Sequence, residues 1–153
     1  RVIEGTRNPS VERELHRIIL AKRADVNAVI HTHSIYVTSV ASARLPLEPI
    51  TDNQVAVFGG TVPLAKYGPI GSLKLAQNAA EALGSDGCGV LLANHGAICT
   101  GKTLAEALLR CEMLETFARI FILAKVAGGG VPLTEEEISF ESGFIKESYG
   151  QRC

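Results

Sequence analysis

The chain has 153 residues, 46% of them hydrophobic and 20% charged, and a formal net charge of −1 at pH 7. That length suits one domain with a real core, and the near-neutral balance offers no electrostatic footprint for nucleic acid or an anionic membrane. No apolar run reaches the roughly 18 residues that a membrane-spanning helix needs. The N-terminus has no charged-then-apolar signal pattern. Cys88, Cys99, Cys111 and Cys153 show no Cys-x-x-Cys spacing, so reduced thiols in a cytoplasmic protein are expected. The chain opens on Arg1, residues 1–5 read as the tail of a hairpin, and Met113 is the only Met. A single domain over residues 1–153, lacking a natural N-terminal segment, is therefore expected.

Asn8-Pro9-Ser10 reads as a helix start, a capping side chain beside a Pro that the first turn tolerates. The helix is expected over residues 10–22, with Leu15, Ile18, Ile19 and Leu20 toward the core. Residues 23–25 turn the chain into an apolar run, 26–30, that reads as a buried strand ending at His31. Ser34 is placed to cap a second helix over residues 35–43, and Pro46 and Pro49 mark an irregular connection. Residues 55–58 read as a short strand closed by Gly59-Gly60, and 62–65 as an edge strand because it contains Pro63. Gly71-Ser72 caps a helix over 73–83 that Gly84 stops. A strongly apolar strand over 89–93, a tight turn at Asn94-His95-Gly96 and a returning strand at 97–99 follow. Thr103 starts the longest helix, to about Val126, with Leu104, Leu108, Cys111, Leu114, Phe117 and Phe121 forming one stripe. Gly128-Gly129-Gly130 ends it, and Thr134-x-x-Glu137 is a capping box that opens a last helix. Strands interleaved with helices predict a layered α/β domain.

His31-x-His33 is the densest chemical signal. Residues two apart on a strand share a face, and neutral imidazole is a standard ligand for zinc and other late divalent metals. His95, at a turn after a buried strand, is a candidate third ligand. The competing reading is ordinary hydrogen bonding at strand ends. Glu12 also admits two readings: an acid favoured by the helix dipole, or a carboxylate that ligates a metal and moves a proton. His16 shares a helix face with Glu12 at i+4 and is expected to pack and hydrogen-bond. Tyr67 and Tyr149 carry phenols that could donate protons. No Asp-His follows the pair, as a metallo-β-lactamase-type site requires, and the next acid after His33 is Glu48, too far for a cupin.

The ordered set is more specific than the pair. It runs Pro9-Ser10-Val11-Glu12, Leu15-His16, Val29-Ile30-His31-Thr32-His33-Ser34, Gly59-Gly60, Val62-Pro63, Tyr67 and Gly71-Ser72-Leu73. It continues through Leu91-Leu92-Ala93-Asn94-His95-Gly96, residues 101–107, Glu135-Glu136-Glu137-Ile138 and the tail 148–152. In this the chain resembles the class II aldolase/adducin family, most closely its L-fuculose 1-phosphate aldolase-like members. The resemblance implies a three-layer α/β/α fold around a mixed, mostly antiparallel sheet. It implies that His31, His33 and His95 ligate Zn2+ or another divalent transition metal, with Glu12 an extra ligand and the catalytic acid/base. Ser10 would bind the substrate phosphate, and Tyr149 would close over the site as a second catalytic residue.

The implied reaction is cleavage of a ketose 1-phosphate, such as L-fuculose 1-phosphate, to dihydroxyacetone phosphate and an aldehyde through a metal-bound enediolate. The implied assembly is a homotetramer with its sites at subunit interfaces. Pentulose-phosphate 4-epimerases and methylthioribulose-phosphate dehydratases share the scaffold. Adducin-like interaction modules share the fold without the metal histidines, which this chain keeps. Three departures from the family pattern stand out. The phosphate-binding turn that precedes Pro-Ser is absent, Val11 replaces a second hydroxyl, and residues 51–54 lack the proton-donating Tyr expected before Gly-Gly.

Overall fold

Four strands lie in the order β1-β4-β3-β2: β1 (Ala28–Thr32), β2 (Leu64–Ala65), β3 (Gly89–Leu92) and β4 (Gly96–Gly101). A computed structural model describes residues 4–148, with side chains to residue 144. β1 and β3 both pair antiparallel with the central β4, while the two-residue β2 pairs parallel with β3 at the edge. The sheet is therefore mixed and mostly antiparallel, as expected.

All ten residues of β3 and β4 are buried, and their side chains alternate between two cores. Val90, Leu92 and Ile98 face Leu15 and Ile19 of α1 (Arg13–Lys22) and Leu75, Ala76 and Ala79 of α4 (Leu73–Leu83). Leu91, Ala97 and Cys99 face Val37 and Val40 of α2 (Ile35–Ser42) and Leu114, Phe117 and Phe121 of α5 (Leu104–Val126). Helices on both faces of a sheet buried on both sides make the three-layer α/β/α arrangement. Each fully buried Leu or Ile contributes about 1.5–3 kcal/mol of transfer free energy, so these two cores hold the sheet ends where they are. Cys88, Cys99 and Cys111 are free thiols, and no described helix is long and apolar enough to cross a membrane.

Local structure departs from the sequence reading in five places. Leu20, expected toward the core, is exposed on α1. Residues 55–58 belong to a helix, α3 (Asp52–Phe58), rather than a strand. Buried Gln54 explains part of this: its Nε2 donates to the carbonyls of Leu47 at 2.9 Å and Gly60 at 3.2 Å, stitching the turn of α3 to the chain on either side. Gly59 then ends the helix at φ 75°, a left-handed conformation that costs glycine nothing. α1 starts at Arg13, not Ser10, because Glu12 takes the N-cap position. Ser34 occupies the N-cap of α2 without a side-chain cap bond. On α5 the buried stripe begins at Ala107, and Leu104 and Leu108 are exposed. A Cβ on Gly101 would lie 2.7 Å from the Ala107 nitrogen, so α5 starts too tightly against β4 to admit leucines there. The capping box is formed as expected, with Thr134 and Glu137 each bonding the other's backbone N–H; it opens α6 (Glu135–Ser148).

Candidate metal centre

The polar cluster sits where β1 and β3 end. β1 carries His31 on its α1-facing side, since Val29, two residues back, packs in that core. His33 follows two residues on, just past the strand end. His95 lies in the turn between β3 and β4, where Asn94 adopts φ 58°. Asn tolerates this region better than most residues. The Asn94 amide is tied down as well: its Oδ1 accepts from Arg44 Nε at 2.9 Å, and its backbone N–H donates to Ala41 O at 3.1 Å. Gly96, directly after, must be glycine for packing reasons. A Cβ there would collide with the Thr32 carbonyl and approach the His33 ring to 2.9 Å.

Glu12 arrives from the opposite direction, at the start of α1. Ser10 Oγ accepts its backbone N–H at 3.1 Å, fixing the turn. Glu12 is 6% exposed, and its carboxylate makes no cap bond to α1. It points instead at the histidines, with Oε2 2.6 Å from His31 Nε2 and Oε1 3.3 Å from His95 Nε2. His33 Nε2 lies 2.7 Å from His31 Nε2. The three rings form a near-triangle, with centroids 4.6, 5.0 and 4.8 Å apart.

The protonation pattern of the cluster suits a cation. His31 Nδ1 donates to the Ala97 carbonyl at 2.9 Å; a carbonyl can only accept, so the lone pair of the neutral ring is on Nε2. That lone pair faces a carboxylate and another imidazole. Burial, the largest cause, holds His31 and His95 below the ordinary histidine range, which favours neutral rings; the Glu12 charge opposes it in both. Glu12 Oε1 and His95 Nε2 are buried without a hydrogen-bond partner despite their proximity. One ligand atom from each of Glu12, His31, His33 and His95 lies within 4.8 Å of the others. Zinc ligands about 2.0–2.2 Å from the ion lie roughly 3.3–3.6 Å from one another in a tetrahedron; the 3.3 Å between Glu12 and His95 matches this, the 2.6 and 2.7 Å around His31 Nε2 are shorter, and the donor set fits a divalent metal in number and chemistry. The Nδ1–carbonyl bond of His31 is the outer contact that such ligands usually make.

Of the other residues singled out by sequence, His16 is half-buried and outside this cluster, and Tyr67 is half exposed with its carbonyl bonded by Asn78 Nδ2 at 3.1 Å. Ser10 is exposed beside Glu12. Tyr149 lies outside the described residues. Sequence reasoning placed Asn94 and Gly96 in a tight turn, as Asn-x-Gly after a buried strand signals, and gave them no part in shaping the site. It also missed Glu115, a half-buried carboxylate on α5.

Known proteins resemble this chain along most of its length. The chain is 38% identical over 151 residues to the 5-deoxy-D-ribulose 1-phosphate aldolase of Bacillus thuringiensis, covering 99% of this chain and 70% of that protein. It is 37% identical to the L-fuculose phosphate aldolase of Methanocaldococcus jannaschii, across 80% of this chain and 64%, less than two thirds, of the archaeal protein. A solved structure of an L-fuculose 1-phosphate aldolase superposes with a TM-score of 0.88 at 38% identity, covering 94% of this chain and 67% of that one. Residues 1–122 match the class II aldolase and adducin N-terminal domain, and the chain belongs to that family.

Proposed function

We propose that this chain is the catalytic part of a zinc-dependent sugar-phosphate aldolase. It would cleave a ketose 1-phosphate to dihydroxyacetone phosphate and an aldehyde. The observation that carries the reading is Glu12: a buried carboxylate turned away from its own helix and aimed among three imidazoles. A structural acid would cap α1. The names of the relatives, a deoxyribulose-phosphate aldolase and a fuculose-phosphate aldolase, supply the substrate class. Retention of the whole donor set favours catalysis over an interaction module.

His31, His33 and His95 would hold the ion, with Glu12 as a further ligand. When bound, the ion supplies Lewis acidity that stabilises negative charge on substrate oxygen as the carbon–carbon bond breaks. Glu12 holds or moves the proton at the dihydroxyacetone phosphate carbon, from a buried site where its charge is little screened by water. Ser10 offers its hydroxyl proton to the substrate phosphate, because its oxygen already accepts from Glu12 N. Tyr149 is proposed to close over the site. Val11, Ile70 and Leu73 are exposed, and Val11 abuts Gly71 beside Glu12; a homotetramer with sites at subunit interfaces would cover such apolar groups. A cytoplasmic setting agrees with the free thiols.

The test is release of dihydroxyacetone phosphate from a panel of ketose 1-phosphates, for the native protein and Glu12→Gln. We expect release from at least one of them, reduced about 10²–10⁴-fold by the substitution, with the far-ultraviolet circular dichroism unchanged. Native-level cleavage by Glu12→Gln would remove Glu12 from its role. Cleavage of none of the panel would overturn the aldolase reading.

A further inference from the structure

The three histidines are not held equally. His31 is fixed by its own ring, through Nδ1 and Ala97 O. His95 sits in a turn pinned by Asn94. His33 is exposed, and its one side-chain hydrogen bond runs to another member of the cluster. Its place therefore depends on the backbone between the last residue of β1, Thr32, and the first of α2, Ile35.

That backbone is held from α5. Helix N-termini leave donors unsatisfied, and the N-cap side chain normally accepts from the second and third helical N–H groups. Ser34 stands at the N-cap of α2, but its Oγ is buried with no partner. Glu115 takes over: Oε1 accepts from Tyr36 N at 3.0 Å and Oε2 from Val37 N at 2.9 Å. A carboxylate here also meets the positive end of the helix dipole. One turn further along α5, Arg119 stacks on the Tyr36 ring at 5.6 Å. The first turn of α2 is thus gripped twice by the longest helix of the fold. Glu115 is half-buried at the edge of the buried stripe of α5, four residues after Cys111 and three before Ala118. A partly buried charge favours donors, and Glu115 finds them in Tyr36 and Val37, three and four residues after His33.

We propose that Glu115 is a positioning residue for His33: by capping α2 in place of Ser34, it fixes the backbone that sets the His33 imidazole against its two neighbours. The inference rests on the metal-centre reading above. Its test is zinc affinity, measured by competition with a chromophoric chelator on native protein, Glu115→Ala and Glu115→Gln. Cobalt(II) absorption serves as a second readout of ligand geometry. Outer groups that orient ligands typically carry 10–100-fold in metal affinity. Glu115→Ala is expected to weaken zinc about tenfold or more and to alter the cobalt spectrum. Glu115→Gln keeps one acceptor and should fall in between. A folded Glu115→Ala with native zinc affinity and cobalt spectrum, even with a lower melting temperature, would reduce Glu115 to a packing role and overturn the proposal. If Glu115→Ala does not fold, Glu115→Gln decides: weakened zinc binding supports the proposal, native affinity overturns it. A native chain that binds no zinc defeats both this inference and the metal-centre reading. Native binding with an insensitive Glu115 defeats this inference alone.

Discussion

At the two ends of the sheet this chain buries charge in opposite ways. Arg23 lies where β1 and β3 begin, and it is 8% exposed. Its Nε and Nη2 grip both carboxylate oxygens of Asp25 at 2.8 and 2.7 Å. Its Nη1 donates to the carbonyls of Gly84 at 3.2 Å and Gly87 at 2.8 Å. The guanidinium fork is matched by acceptors, two of them carbonyls at the C-terminal end of α4 and the loop after it. Where β1 and β3 end, Glu12 is equally buried, but its neighbours are imidazoles, and Oε1 and His95 Nε2 have no hydrogen-bond partner. A satisfied buried cluster secures a fold. An under-satisfied one costs stability and persists where function needs it.

The comparison is sharpest if the ends are broken separately. His31→Ala and His33→Ala should each abolish stoichiometric zinc uptake, and His33→Ala should leave the unfolding free energy of the metal-free chain within about 1 kcal/mol, because exposed His33 contributes little packing. Elemental analysis and urea unfolding check the two halves of that statement. Zinc content equal to that of the native chain in both variants would dissolve the contrast. Arg23→Ala should do the reverse. It strands the Gly84 and Gly87 carbonyls and leaves the Asp25 carboxylate without its partner, which costs about 2–3 kcal/mol. Zinc uptake should be unchanged in the folded fraction. Loss of zinc together with stability would mean that the two ends are one cooperative device.

Much of this is legible in the sequence. β3, β4, α4 and the bounds of α5 follow from long apolar patterns with clear caps, which leave little choice of structure. Residues 55–58 were not readable, because four apolar residues fit a strand or a helix turn alike. What decides for helix is tertiary: Gln54 reaching carbonyls on both sides of α3. The stripe on α5 has the right period but the wrong first members, since the close approach of Gly101 to Ala107 is invisible in a periodicity. At the site, strand alternation brings His31 and His33 together, and the structure bears this out. Glu12 was undecided because a carboxylate at a helix start satisfies the dipole argument equally well. Only the direction of its side chain separates the readings. Glu115 was hidden because its partners are backbone amides from a distant segment, which no local pattern announces.

The smallest expected effect refines the structural end. The Arg23 guanidinium hydrogen-bonded to Asp25 holds that carboxyl below its ordinary 3.8, at about 2. A carboxyl whose pKa is lower folded than unfolded binds fewer protons in the native state. Its stabilisation is therefore complete above 3.8 and is lost as the pH falls toward about 2. Asp25 is exposed on its outer side, with 58% of its side-chain surface accessible, so solvent screens the pair and the contribution is small. Asp25→Asn should lower stability slightly at neutral pH and leave a shallower acid decline than the native chain across that window, read by urea midpoints at several pH values. Parallel declines would show that Arg23 works through the Gly84 and Gly87 carbonyls alone. The satisfied end of the sheet would then be held by the guanidinium–backbone contacts, with Asp25 a bystander.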